Sequence, residues 1–162
     1  MTPMSARERQ VYAVVNGCSA PLWLLMVLAP RSALTASALR LATPLYAALG
    51  ASYVGLLASG WGGERVDFRD PESVRRAMLQ PRGFLAGWTH YIAFDLFVGR
   101  WVWEQGLQQG RSTRAALLLT WMAGPSGLAL WLAQSARGSR RDAGRQRSRS
   151  TTRLPRPWSL AR

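Results

Sequence analysis

Asp95 stands inside Trp88-Thr89-His90-Tyr91-Ile92-Ala93-Phe94-Asp95-Leu96-Phe97-Val98-Gly99-Arg100-Trp101, a stretch otherwise apolar enough to cross a bilayer, with His90 and Arg100 as the other ionisable groups. A charge near the middle of such a span costs about 3 kcal/mol or more, so this carboxyl requires a partner or a task. An aspartic acid beside a histidine makes a proton donor and acceptor pair that exchanges near neutrality. Two states are open to Asp95, a neutral proton donor or a carboxylate paired with a cation. Chemistry that uses it is acid–base chemistry on a ligand that dissolves in hydrocarbon.

His90, Asp95 and Arg100 are five residues apart, so on an ideal helix each is rotated about 140° from the next and displaced about 7.5 Å. They do not share one face. Arg100 lies near a span end, where its head snorkels outward with Glu104 one turn on. At about 1.5 Å per residue, Asn16 and His90 reach a similar depth, and Gly124-Pro125-Ser126 reaches that of Asp95. One internal polar pocket is therefore expected. Asp95 and His90 are its candidate catalytic acid and base, and Asn16, Trp88, Tyr91, Phe94, Arg100, Trp121 and Ser126 are candidate substrate-binding groups. The competing reading is a hydrogen-bonded network that only fixes helix packing. With one histidine and one cysteine in the chain, no metal site and no cofactor are expected.

The elements that must hold these groups follow from hydropathy. Across 162 residues the mean hydropathy is near zero because apolar runs and arginine-rich segments cancel. Four runs, Val11 to Ala29, Leu41 to Trp61, Phe84 to Trp103 and Ala115 to Ala133, approach the roughly 20 residues a hydrocarbon core requires. The fold class expected is all-α: a four-helix transmembrane domain over residues 1–134 and a disordered Arg-rich tail over 135–162. The first run is a retained anchor rather than a cleaved signal, with Asn16 and Pro21 turned inward and Cys18 as a small packing residue. Ala47, Ala51, Gly55 and Ser59 form a small-residue stripe suited to close helix packing. Asp70-Pro71 predicts the start of a short interfacial helix, with Val74, Ala77 and Met78 dipping into the interface while Arg75 and Arg76 meet headgroups. Gly124-Pro125-Ser126 predicts a kink in the fourth run.

All 21 basic residues are arginine, and the net charge is +13. With four crossings, sixteen arginines fall on the side of the termini and four on the other, which places both termini in the cytoplasm of a multi-pass protein of the cytoplasmic (inner) membrane. Trp61, Trp88, Trp101, Trp103 and Trp131 fall near span ends as an aromatic belt. The expected partners are the lipid bilayer and anionic headgroups for the tail, and the family resemblance described below adds an apolar polyene. Nucleic acid is disfavoured because few stacking aromatics accompany the arginines, and a homo-oligomer stays open.

The residues around Asp95 also carry a family resemblance. Trp88-Thr89-His90, Phe94-Asp95-Leu96-Phe97 with Arg100, Gly106-Leu107, Thr113-Arg114 and Gly124-Pro125-Ser126-Gly127 resemble the abscisic-acid-deficient-four-like family. Pro21-Leu22-Trp23 and Leu25-Met26-Val27-Leu28-Ala29-Pro30 resemble its opening helix. The resemblance implies an integral membrane protein of carotenoid metabolism, whose plant members are plastid membrane proteins needed to make neoxanthin from violaxanthin. The implied reaction is an isomerisation that turns an epoxide end group into an allenic alcohol. It needs an acid at the epoxide oxygen, tolerance of a developing carbocation and a base for a polyene proton. Asp95 and His90 are assigned to these roles on chemical grounds, with the faces of Trp88, Tyr91 and Phe94 beside the cation. No plastid-type leader precedes the first run, so the substrate class is read broadly, as a carotenoid or related isoprenoid. The rival readings are a non-catalytic carotenoid-binding or membrane assembly protein and, less favoured, a small transporter.

Overall fold

The computed structural model describes residues 3–59 and 66–151, with side chains through residue 138, and among these residues every element is helical. Helix α1 (Ala6–Leu28) opens with a capping box: the Glu8 carboxylate accepts from the Ser5 N–H at 2.7 Å while Ser5 Oγ accepts from the Glu8 N–H at 3.3 Å. It runs through Pro21, which is exposed rather than turned inward, so Asn16 and the buried Ser19 bring polarity to the packed face. Cys18 is half-buried and donates to the Val15 carbonyl, as a packing residue does. At the far end of α1 the orphan carbonyls receive donors from three other elements. Thr35 Oγ1 donates to Ala29 at 2.6 Å, Trp103 Nε1 to Pro30 at 2.7 Å and Arg114 Nε to Val27 at 3.1 Å.

The second apolar run is divided into α2 (Ala33–Leu41) and α3 (Thr43–Ala58). Pro44 has no N–H for the Arg40 carbonyl, and Thr43 Oγ1 donates to it instead at 3.1 Å. The small-residue stripe Ala47, Ala51, Gly55 and Ser59 is exposed, and of the four Ser59 meets α5, its carbonyl accepting from Arg82 at 2.9 Å. Leu45 and Leu49, which bury more apolar area, face Ile92 and Val15 in its place.

The short helix predicted at Asp70 forms as α4 (Pro71–Met78), with both Asp70 carboxylate oxygens accepting first-turn N–H groups. Ala77 is buried and the Met78 thioether lies over Gly87, so α4 docks on the next helix with Arg75 and Arg76 outward. That next helix, α5 (Pro81–Gln108), is the axis of the bundle. Leu85, Thr89, Ile92, Leu96, Gly99 and Trp103 recur at three- and four-residue spacing on its buried face, and Trp23 lies against Gly99 where a Cβ would not fit.

The fourth run departs most from expectation. It is not a kinked span but a hairpin of α6 (Arg114–Ala123) and α7 (Pro125–Thr151). Gly124 has φ +49° and ψ −109°, the mirror image of extended backbone, which glycine alone adopts readily. Beyond it the chain turns back along α6, with Gly127 pressed on Thr120 and the Ala116 carbonyl where no Cβ would fit. Arg111, just before α6, donates to the Gln134 carbonyl at 2.6 Å and lies 5.8 Å over the Trp131 ring. A continuous helix would hold residues 111 and 134 about 34 Å apart. The start of α1 and the far end of α7 therefore lie at opposite ends of the bundle, whereas four straight crossings would bring them to the same end.

Two further corrections follow. Trp131 is fully buried and Trp103 nearly so, hence core residues rather than belt residues. Trp61 lies outside the described residues. The segment from Ser135, expected to be disordered, continues as helix to Thr151, because Ala, Arg and Gln propagate a helix already started by the hairpin arm. Residues 152–162 lie outside the described residues.

Two helical stretches are long and apolar enough to cross a membrane, Ala6–Leu28 and Ala33–Ala58 taken through its break, against the four expected. Only 33% and 11% of their most apolar windows are buried, which sets them apart from the core helices of a soluble domain. α5 has the length at 28 residues but carries His90, Asp95, Arg100 and Glu104, and α6 is apolar but short. Replacing Gly124 by Ala is expected to cost about 1–3 kcal/mol and lower the thermal midpoint in detergent. Gly17→Ala, in open space within α1, should leave the midpoint level or raise it. Equal midpoints for the two variants would argue against the reversal at Gly124.

Candidate functional site

Phe84, Trp88, Tyr91 and Asp95 occupy positions i, i+4, i+7 and i+11 of α5, one side of the helix next to its buried face. Tyr12 and Asn16, one turn apart on α1, face the same strip. Ring centroids step along it, from Tyr12 to Phe84 at 6.1 Å, Tyr12 to Trp88 at 5.5 Å, Phe84 to Trp88 at 5.8 Å and Trp88 to Tyr91 at 5.5 Å. Asn16 fixes the central indole, with its Oδ1 accepting from Trp88 Nε1 at 3.3 Å and its Nδ2 donating to the Tyr12 carbonyl at 2.7 Å.

Asp95 closes the inner end of the strip. Both carboxylate oxygens lie 3.3 Å from the point where a Cβ on Gly124 would sit, and Tyr91 Cε2 is at the same distance. The hairpin tip is thus seated on the carboxyl, and the convergence in depth expected of Asp95 and the Gly124 segment is present. Tyr91 interacts with Asp95 from one turn away. Oδ2 itself is buried with no hydrogen-bond partner of good geometry among the described residues. A half-buried carboxyl with spare capacity, at the end of an aromatic strip, can hand a proton to a ligand group or receive one.

The other expected site residues are elsewhere. His90 is exposed on the far side of α5, stacked on Phe94 at 4.4 Å and tilted against Tyr53 at 5.4 Å. The acid and base pair with Asp95 does not form, because five residues of helix turn the two side chains about 140° apart. The meeting of Asn16 with His90 is likewise replaced by the bond to Trp88. Phe94 is 61% exposed and belongs with His90. Arg100 pairs with Glu104 at 2.9 Å and donates to the Leu39 carbonyl at 3.2 Å, so it braces the α2–α3 break. Trp121 stacks on Trp23 at 6.1 Å with their planes 5° apart and is part of the packing. Ser126 is exposed at the tip and donates to the Ala123 carbonyl at 3.2 Å. Four of the expected residues, Asn16, Trp88, Tyr91 and Asp95, come together. Tyr12 and Phe84 join them unannounced, although their four-residue spacing to Asn16 and Trp88 was a readable signal.

The described residues form an all-helical bundle with two apolar helices long enough to cross a membrane and a carboxyl seated under a glycine-tipped hairpin. The sequence pattern of the ABA DEFICIENT 4-like family matches residues 10–131, and the chain belongs to that family. It is similar to the protein ABA DEFICIENT 4, chloroplastic, of Arabidopsis thaliana, with 27% identity over 126 residues, covering 73% of this chain and 57% of that relative. The chain thus spans a little over half the length of the relative. No solved structure matches it. The matched region contains the whole strip, Asp95 and the hairpin tip.

The Asn16–Trp88 bond is testable by a double-mutant cycle of Asn16→Leu and Trp88→Phe. The coupling energy expected from unfolding in detergent is about 0.5–1.5 kcal/mol, and a coupling of zero would remove the bond from the site.

Proposed function

We propose that this protein is an integral membrane protein that binds a carotenoid or related isoprenoid along Tyr12, Phe84, Trp88 and Tyr91 and isomerises its end group at Asp95, in the manner of a neoxanthin synthase. The observation that carries this reading is the half-buried Asp95 carboxyl at the end of the aromatic strip, whose Oδ2 is buried and without a hydrogen-bond partner among the described residues. With His90 turned away, one carboxyl serves both proton transfers. Protonated Asp95 gives its proton to the epoxide oxygen and the C–O bond opens, leaving a hydroxyl and a cationic carbon. The carboxylate then takes a proton from the polyene, the allene forms, and the acid is restored with no net change in oxidation state. The faces of Trp88 and Tyr91 lie beside the developing cation.

The test is pigment chromatography from a carotenoid-producing host with and without the gene. Asp95→Asn, which keeps the shape of the side chain, is expected to cut formation of the new pigment about 100-fold or more, the usual yield of a general acid–base. Unimpaired conversion in that variant would end the reading. A change in pigment amount or location without a new species would favour the non-catalytic carotenoid-binding role.

In the membrane, α1, the α2–α3 pair and α5 are the crossings, and the α6–α7 hairpin is re-entrant, tolerated because it is packed on protein. Three crossings put the start of α1 and the exit of α7 on opposite faces. Arg31, Arg111, Arg114 and Arg137 share the end from which the arginine-rich segment continues, so the arginine balance assigns that end to the cytoplasm. Reporters fused to the two termini are expected to read opposite compartments. Reporters on one side would mean that the hairpin opens into a full crossing.

A further inference from the structure

We propose that the cleft between the α1–α2 turn and the start of α6 binds a phosphate group. The cleft has a volume of about 460 Å³ and lies at the end of the bundle away from the aromatic strip. Arg31, Arg111 and Arg114 line it with Ser32, Ser112 and Thr113, and no carboxylate does. Three cations without an acid in one recess form a field that favours an anion.

The donors are in surplus. The carbonyls of Ala29 and Pro30 in the lining, and that of Val27 in the last turn of α1, already accept from Thr35, Trp103 and Arg114. Arg111 uses one amino group on the Gln134 carbonyl. The side chains of Arg31 and Ser112 have no partner among the described residues, and the first turn of α6 lacks a side-chain cap at Thr113. Guanidinium forks, a hydroxyl and free amides at a helix start together suit a group with three acceptor oxygens. The apolar wall is made by Leu28 and Leu107, which are 69% and 42% exposed and continue the recess toward the outer surface of the helices. Such a site fits the phosphate of a lipid headgroup, and the same donors accept free phosphate.

The full chain in nonionic detergent is titrated calorimetrically with dioleoylphosphatidylglycerol and, separately, with inorganic phosphate. Saturable binding of one equivalent is expected. Arg31→Gln combined with Ser112→Ala should weaken it about tenfold or more, as expected for loss of charge-assisted bonds. These two side chains hold no other group in place, and an unchanged thermal midpoint would show that the fold survives. Binding of the lipid alone assigns a headgroup site, whereas binding of both with mutual competition assigns phosphate itself. Unweakened binding in the double variant, or no saturable binding of either probe, overturns the proposal.

Discussion

The contact between the Asp95 carboxyl and Gly124 is the constraint on which the rest of the structure depends. A half-buried carboxyl among apolar side chains is tolerated only beside polar groups, and the hairpin tip brings backbone to it. That seating requires a residue without a side chain at 124, a backbone conformation that only glycine takes without strain, and a second glycine at 127 so that α7 can return against α6. The Arg111 bond to Gln134 and the buried Trp131 then clamp the two arms.

The interior arginines act chiefly as caps. Arg100 reaches the Leu39 carbonyl at the α2–α3 break, Arg114 the end of α1, and Arg111 the second arm of the hairpin. Arg100 and Arg114 supply donors where a helix stops, where an unsatisfied carbonyl is costly, while Arg111 ties the start of α6 to the middle of α7. Lysine, a compact charge without a planar fork, matches this task less well. The same economy explains why Trp103 spends its indole N–H on the Pro30 carbonyl instead of standing in an interfacial belt.

Helix content, the short helix at Asp70 and the pairing of Arg100 with Glu104 were legible because caps, prolines and four-residue spacing act locally. The approach of Gly124 to Asp95 was legible from depth alone. The reversal was not, because a Gly-Pro pair specifies either a bend or a turn, and the sign of φ at Gly124 decides between them. His90 stands away from the site for a different reason: its offset of about 140° from Asp95 around α5 decides its position, and a depth matching that of Asn16 does not. Tyr12 and Phe84 escaped notice because single aromatics in an apolar run look like lipid-facing surface until a neighbouring helix stacks on them.

Because α6 stops after ten residues, the hairpin covers only the upper half of α5 on that side, and Gly124 forms a roof above the lower half. Beneath it Tyr12 and Phe84 remain 36% and 38% exposed. Two rings of the strip are therefore reachable from the flank of the bundle, below the hairpin, and not only from its ends.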